Sequence, residues 1–260
     1  MSGFDPQRTA SALRLARCAR TPLQPLGPGV HPETLADGIA AQVAVAGSTP
    51  PAGFKIGATA KRMQDYLGLR GPAASFMAAP GLHATGSTLA FDGFFRPGVE
   101  SELAVHLARD LPGPCDAEQA RDAVDRLMPA IEIVENRYAD LAAFGAPAMV
   151  ADQVFHAAAV IGDAVDAWRT IDLLGLTGSI SVDGAVRGQG EGRELLGGPF
   201  EALAWLAGSV EAAAFGGLRA GQIVMLGSVC PPVWLDGPGH VRVSFPPLGT
   251  VEASLVATTP

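Results

Sequence analysis

Lysine is almost missing from this 260-residue chain: Lys55 and Lys61 are the only two, and arginine carries the rest of the positive charge. Charged residues of any kind make up 17%, and 18 Lys+Arg against 26 Asp+Glu leave a net charge of −8. Binding nucleic acid needs clustered positive charge against phosphates, so such a partner is excluded. Cysteine is scarce as well. Cys18, Cys115 and Cys230 lie far apart and form no CxxC pair, which excludes a disulfide framework or a zinc knuckle and points to a reducing cytoplasm. Long hydrophobic runs are lacking too: Gly, Pro or charge interrupts every apolar stretch before the roughly 18 residues of a membrane-spanning helix. The N-terminus has no apolar signal-peptide core. Arg8, Arg14, Arg17 and Arg20 give it a transit-peptide look, but Asp5 and the continuing helical pattern point to a structural arm. A cytoplasmic protein without membrane contact is expected.

What the chain has in plenty is apolar material, 48% of its residues, enough for one large core or two modest ones. Ala10, Leu13 and Ala16 recur at helical spacing within 6–20, and Leu35, Ile39, Ala40 and Val43 do so further on. Pro50-Pro51-Ala52-Gly53 closes that second helix. Strands are expected at 54–57, 99–109 and 130–135, with a short helix at 117–127 between the last two. Helical or mixed structure is expected from there to about residue 168. Asp183-Gly184 then separates two short β-runs as a two-residue hairpin turn, and Pro199 sits where a helix would begin. The end, 222–228, 240–245 and 250–256, is strand-rich. These pieces predict a helical N-terminal region, residues 1–80, packed on a mixed domain over 81–260, with no internal repeat.

Several residues could carry chemistry. Alternation along Glu100-Ser101-Glu102-Leu103-Ala104-Val105-His106 puts Glu100 and Glu102 on one strand face, about 7 Å apart, near enough to share a cation. The same pattern also describes a solvated face of a half-buried sheet. Glu132 lies in Ile131-Glu132-Ile133, a run otherwise apolar on both faces, and a buried carboxylate needs a compensating cation. With Glu100 and Glu102 it makes an all-oxygen triad for Mg²⁺ or Mn²⁺; a salt bridge to an arginine answers the same need. Lys55, in Phe54-Lys55-Ile56-Gly57, is either a snorkelling strand end or an acid–base group. The glycines of Gly188-Gln189-Gly190-Glu191-Gly192 lack the βαβ frame of a dinucleotide site. The five histidines show no zinc spacing, no GxSxG elbow occurs, and Cys230 has no local activating partner.

Taken together, the chain resembles the 2-keto-4-pentenoate hydratase and 4-oxalocrotonate decarboxylase branch of the fumarylacetoacetate hydrolase superfamily. The matching pieces run through most of it: Arg20-Thr-Pro-Leu-Gln-Pro-Leu26, Phe54-Lys-Ile-Gly-Ala-Thr59, Arg96-Pro-Gly-Val-Glu-Ser-Glu102, Pro129-Ala-Ile-Glu-Ile-Val134, Val150-Ala-Asp152, Gly197-Gly-Pro199, Leu218-Arg-Ala-Gly-Gln-Ile223 and Leu248-Gly-Thr-Val251. The resemblance implies an α+β fold: a β-roll core of the fumarylacetoacetate hydrolase C-terminal-domain type, outer helices, a helical N-terminal region and homo-oligomers. It further implies that Glu100, Glu102 and Glu132 hold Mg²⁺ or Mn²⁺ against a 2-oxo acid, with Lys55 beside the enolate.

Three departures stand out. Ala79 falls where the family has an aspartate, Gln153-Val154-Phe155-His156 replaces Asn and small residues after Asp152, and Leu226-Gly227-Ser228 loses a hydroxyl. His156 could take over proton transfer or be structural. The expected activity is a hydro-lyase on a small 2-oxo acid or its dienol, in aromatic-compound catabolism. A 4-oxalocrotonate-type decarboxylase, a catalytically weak 2-oxo-acid-binding or partner subunit, and an acylpyruvate hydrolase using His156 or His83 are the alternatives.

Overall fold

A computed structural model describes residues 3–165 and 167–258. Two helices open the chain, α1 (Pro6–Ala19) and α2 (Leu35–Ala46). Asp5 caps α1 by accepting from the amides of Gln7 and Arg8, and Thr34 with Asp37 forms a capping box on α2. The middle of the chain alternates strands with short helices: β1 (Gly53–Gly57), α3 (Lys61–Leu67), β2 (Ala73–Met77), β3 (Leu82–Ala84), β4 (Ser87–Ala90), β5 (Pro97–Leu107), α4 (Ala117–Asp122), β6 (Val124–Glu135), α5 (Leu141–Ala151) and β7 (His156–Ile161). The remainder is β8 (Thr177–Val182), β9 (Ala185–Glu191), α6 (Pro199–Ala207), α7 (Val210–Ala214), β10 (Ile223–Ser228), β11 (Val233–Trp234), β12 (Gly239–Phe245) and β13 (Gly249–Val256). Among the described residues no helix is long and apolar enough to cross a membrane.

The strands form two sheets. The larger runs β2-β1-β10-β5-β6-β7-β3, with β11 on the end of β5, and the smaller runs β4-β13-β12-β8-β9. This is the expected mixed α+β architecture, a curled sheet with outer helices and a helical N-terminal part. One face of the large sheet presents Phe54, Ile56, Leu103, Val105, Ile131 and Val224 to Val241, Val243, Phe245 and Val251 of the small sheet, and this is the main core. The residues of the opposite face are fixed by register. Lys55 pairs with Ser75 and Met225, Met225 with Ala104, Ala104 with Met128, Glu102 with Ala130, and Glu100 with Glu132. Side chains of paired residues share a face, so one surface carries Lys55 and all three glutamates. It continues into a second cluster of Met77, Ala104, Met128, Ala130, Ala159 and Met225.

Some elements differ from expectation. The helix expected at 117–127 stops at Asp122, and β6 begins at Val124. Asp116 and Gln119 do cap it, and Ala120, Val124 and Leu127 keep helical spacing, but the long pairing with β5, irregular between His106 and Leu107, draws Val124–Leu127 into the sheet. The mixed segment before residue 168 contains β7, whose Ala157, Ala158 and Ala159 give it little strand propensity of their own. Strands β1 and β2, both within residues 1–80, lie inside the large sheet.

Candidate active site

The turn after α5 borders the site. Gln153, Val154 and Phe155 all have positive φ (57°, 51° and 66°), a left-handed turn of three side-chain-bearing residues, which costs roughly 1–2 kcal/mol per residue. Such strain persists only where the surroundings enforce it. Here the Gln153 amide donates to the carbonyl of Phe76 at 3.1 Å, and Lys55 Nζ donates to the carbonyl of Val154 at 2.5 Å. Asp152, fully buried just before the turn, receives the guanidinium of Arg17 at 3.1–3.2 Å, the guanidinium of Arg137 and the hydroxyl of Tyr138 at 3.3 Å. Arg17 also donates to the carbonyl of His156 at 3.1 Å. Helix α1 is thus tied to both ends of the strained turn.

On the other side of the turn lies the acidic cluster. Carboxylate oxygens of Glu100, Glu102 and Glu132 come within 4.8 Å of one another. Glu132 Oε1 meets Lys55 Nζ at 3.2 Å and His156 Nδ1 at 2.8 Å, all three residues being buried. Glu102 Oε2 accepts from the amide of Gly227 at 2.9 Å. That contact depends on glycine, because Gly227 sits at φ +106° and a Cβ there would lie 2.6 Å from Thr59. Glu102 Oε1 and Glu132 Oε2 are buried with no hydrogen-bond partner. Burial and the neighbouring Glu132 charge push the Glu100 carboxyl up to about 8, and burial with the charges of Glu132 and Glu100 also raises Glu102 well above the usual range. Burial also works against ionisation of Glu132, but the Lys55 ammonium and the His156 hydrogen bond hold its carboxyl below the usual range. Burial lowers His156, which is therefore neutral near pH 7.

Three mutually repelling carboxylates with unsatisfied buried oxygens, offset by one ammonium, fit a hard divalent cation. A cavity of about 570 Å³ opens beside them, lined at its floor by Lys55, Glu100 and Ser228 and on its walls by Leu67, Met149, Val154, Phe155 and Val229. Gly57 helps keep that floor open: a Cβ on it would reach 2.6 Å from Val154 and 3.2 Å from Lys55 Nζ.

A family model for the fumarylacetoacetate (FAA) hydrolase C-terminal region matches residues 71–256. This chain belongs to the fumarylacetoacetate hydrolase family. Within the family it falls in the branch of 2-keto-4-pentenoate hydratases and 4-oxalocrotonate decarboxylases. It is 31% identical to the 2-keto-4-pentenoate hydratase of Burkholderia vietnamiensis over 205 residues, 78% of this chain and 77% of that protein. To the 2-hydroxyhexa-2,4-dienoate hydratase of Comamonas testosteroni it is 32% identical over 185 residues, 70% of this chain and 69% of that one. In fold it matches the 4-oxalocrotonate decarboxylase of Pseudomonas putida G7, a structure complexed with magnesium and adipate, with a TM-score of 0.88 at 23% identity over 96% of this chain and 97% of that chain.

The family fold brings four of the five sequence-selected residues, Lys55, Glu100, Glu102 and Glu132, onto one face. The fifth, His156, packs behind Glu132; of the five, only Lys55 and Glu100 are among the side chains that line the cavity. Ala79 is exposed in a short turn after β2, away from the cavity lining, so alanine there removes nothing from the wall. Cys230 lines the cavity, and burial pushes its thiol up, as suits a packing side chain. The Val154 carbonyl, the Gly227 amide and the Arg17–Asp152–Arg137 network escaped the sequence reading. The sequence signals were faint: a lone glycine in a strand, and arginines on a helix that looked solvated.

Proposed function

We propose that this chain is a divalent-metal-dependent hydro-lyase acting on a small 2-oxo acid or its dienol, of the type that converts 2-hydroxypenta-2,4-dienoate to 4-hydroxy-2-oxopentanoate in aromatic-compound catabolism. The observation that carries the reading is the pair of orphaned carboxylate oxygens, on Glu102 and Glu132, beside Lys55 at the end of a cavity. Glu100, Glu102 and Glu132 would hold Mg²⁺ or Mn²⁺, which when bound supplies Lewis-acid stabilisation for enolisation of a chelating 2-oxo acid. Lys55 places a positive charge where the enolate forms and holds at Nζ the proton exchanged with the substrate carbon C3. The carbonyl of Val154 and Glu132 Oε1 fix the direction of that ammonium. His156 acts through Glu132, whose orientation its Nδ1 hydrogen bond sets.

Hydration is chosen over decarboxylation because the two hydratase relatives exceed 30% identity, whereas a 4-oxalocrotonate decarboxylase of Pseudomonas putida is 27% identical. The test is turnover of purified protein with 2-hydroxypenta-2,4-dienoate and, in parallel, 4-oxalocrotonate, with Mg²⁺ and with chelator. Metal-dependent loss of the dienol is expected; full turnover without metal in Glu132→Gln would remove the basis of the reading, and CO₂ release from 4-oxalocrotonate alone would replace hydratase by decarboxylase. The protein is further proposed to work in the cytoplasm as a homo-oligomer, supported by exposed Leu15, Leu35 and Val210 outside the cavity; light scattering of the purified chain checks its mass.

A further inference from the structure

The cavity is larger and more apolar than a five-carbon acid would fill. At about 570 Å³ it lies in the range that encloses drug-sized ligands. Its charged side chains gather at the two ends. Lys55, Glu100 and Ser228 occupy the floor, while Arg62 and Glu194, both exposed, sit at the rim. Those two rim charges are of opposite sign, so the mouth offers no net positive charge to a second carboxylate. Between floor and rim the lining is largely apolar, with Thr59 its polar member.

The rim itself is apolar and partly preformed. Met63, Tyr66 and Trp234, exposed by 38%, 67% and 45%, all belong to the cavity lining. Large apolar side chains left in water around a concave site mark a surface built to be covered. Trp234 is held in place. It pairs with Gly98 in the ladder between β11 and β5, and its indole lies so close over Gly98 that a Cβ there would come within 2.8 Å of it. Glycine at 98 therefore seats the ring flat on the strand and leaves its other side to the cavity mouth. A rigid indole contributes contact area with little entropy lost on binding.

We propose that the substrate of this site is a 2-oxo acid, or the corresponding dienol, whose far end is a bulky apolar group such as an aryl ring, and that Trp234 and Met63 are its specificity-determining contacts. The proposal rests on the reading of the floor as a 2-oxo acid site. The acid end meets Lys55 and the three glutamates, and the tail fills the walls between Leu67, Met149 and Phe155. A dicarboxylate would have to carry its second charge past apolar walls, and at the rim only the exposed, water-screened Arg62, beside the opposite charge of Glu194, could offset it.

Three stable acids separate the possibilities: 2-oxopentanoate, 2-oxo-4-phenylbutanoate and 2-oxoadipate, titrated calorimetrically into the Mg²⁺-loaded protein. The phenyl-tailed acid is expected to bind at least about 10-fold more tightly than 2-oxopentanoate, with 2-oxoadipate weakest. Trp234→Ala should collapse the ratio between the phenyl-tailed acid and 2-oxopentanoate, and Met63→Ser should reduce it in a background that keeps the indole. Equal binding of all three acids, or tightest binding of 2-oxoadipate, overturns the tail assignment while leaving the 2-oxo acid site standing. Failure of all three to bind in a metal-dependent way overturns both together. A preference that survives both substitutions overturns the roles given to Trp234 and Met63.

Discussion

Two buried ionic clusters flank residues 152–156, and they obey opposite rules. On one side Arg17 and Arg137 face Asp152 and Glu135: two cations, two anions, with Tyr138 and the amide of Phe95 adding hydrogen bonds. In that cluster only Arg137 Nε lacks a partner. On the other side Glu100, Glu102 and Glu132 outnumber Lys55, His156 is neutral, and two carboxylate oxygens are orphaned. The first cluster is balanced in charge without any added group and ties α1 to the left-handed turn. With its carboxyls ionised, the second is short of positive charge by about the amount a divalent cation brings, and it opens on a cavity. Burial of charge alone does not separate a scaffold from a site; the balance of charge and the orphaned atoms do.

The comparison breaks first at Glu132. Glu132→Gln removes a proposed cation ligand and the partner of Lys55 together, so turnover should fall by at least about a thousand-fold and calorimetric Mg²⁺ binding should be lost. Lys55→Met should cost roughly 10²–10⁴ in turnover while Mg²⁺ still binds; joint loss of both would make Lys55 part of the scaffold. In the balanced cluster the effect should appear in stability instead. Arg137→Met strands two buried carboxylates and should lower unfolding free energy by about 3–5 kcal/mol in a denaturant titration, with Mg²⁺ affinity little changed in the folded fraction. Glu102→Gln should do the reverse, leaving the metal-free melting temperature unchanged or raised and abolishing the rise that Mg²⁺ produces.

The smallest effect is a pH dependence. In the metal-free protein Glu100 titrates near 8 and Glu102 is also raised, above the unfolded value of about 4.3. Stability tied to their protonated forms is full below that unfolded value and is lost as pH rises, for Glu100 through about 8. A bound cation takes over the compensation when the carboxyls ionise. The Mg²⁺-induced rise in melting temperature should therefore be small at pH 5 and grow toward pH 8; a rise independent of pH would mean that the carboxylates are already ionised without metal.

Much of the unbalanced cluster was legible in the sequence, and little of the balanced one. Glu100 and Glu102 stand out by period-two alternation, Glu132 by interrupting an apolar run, and Lys55 as one of only two lysines and the one inside a strand. Each signal is local. The Arg17–Asp152 contact spans 135 positions of chain, and nothing near Arg17 distinguishes it from Arg8 or Arg14. The left-handed turn at 153–155 was equally hidden, because its residues carry no glycine and their conformation is imposed by partners in β1 and β2. Strand β7 owes its conformation to β6 rather than to its own alanines.

The central claim is that the Lys55 end of this cavity enolises a 2-oxo acid only when the glutamates hold a metal. The direct test is proton NMR of 4-hydroxy-2-oxopentanoate in D₂O with the purified protein, following deuterium uptake at C3. Exchange that requires Mg²⁺, stops on chelation and is lost in Lys55→Met is the predicted result. Exchange at the same rate in chelator, or undiminished in Lys55→Met, would contradict the account.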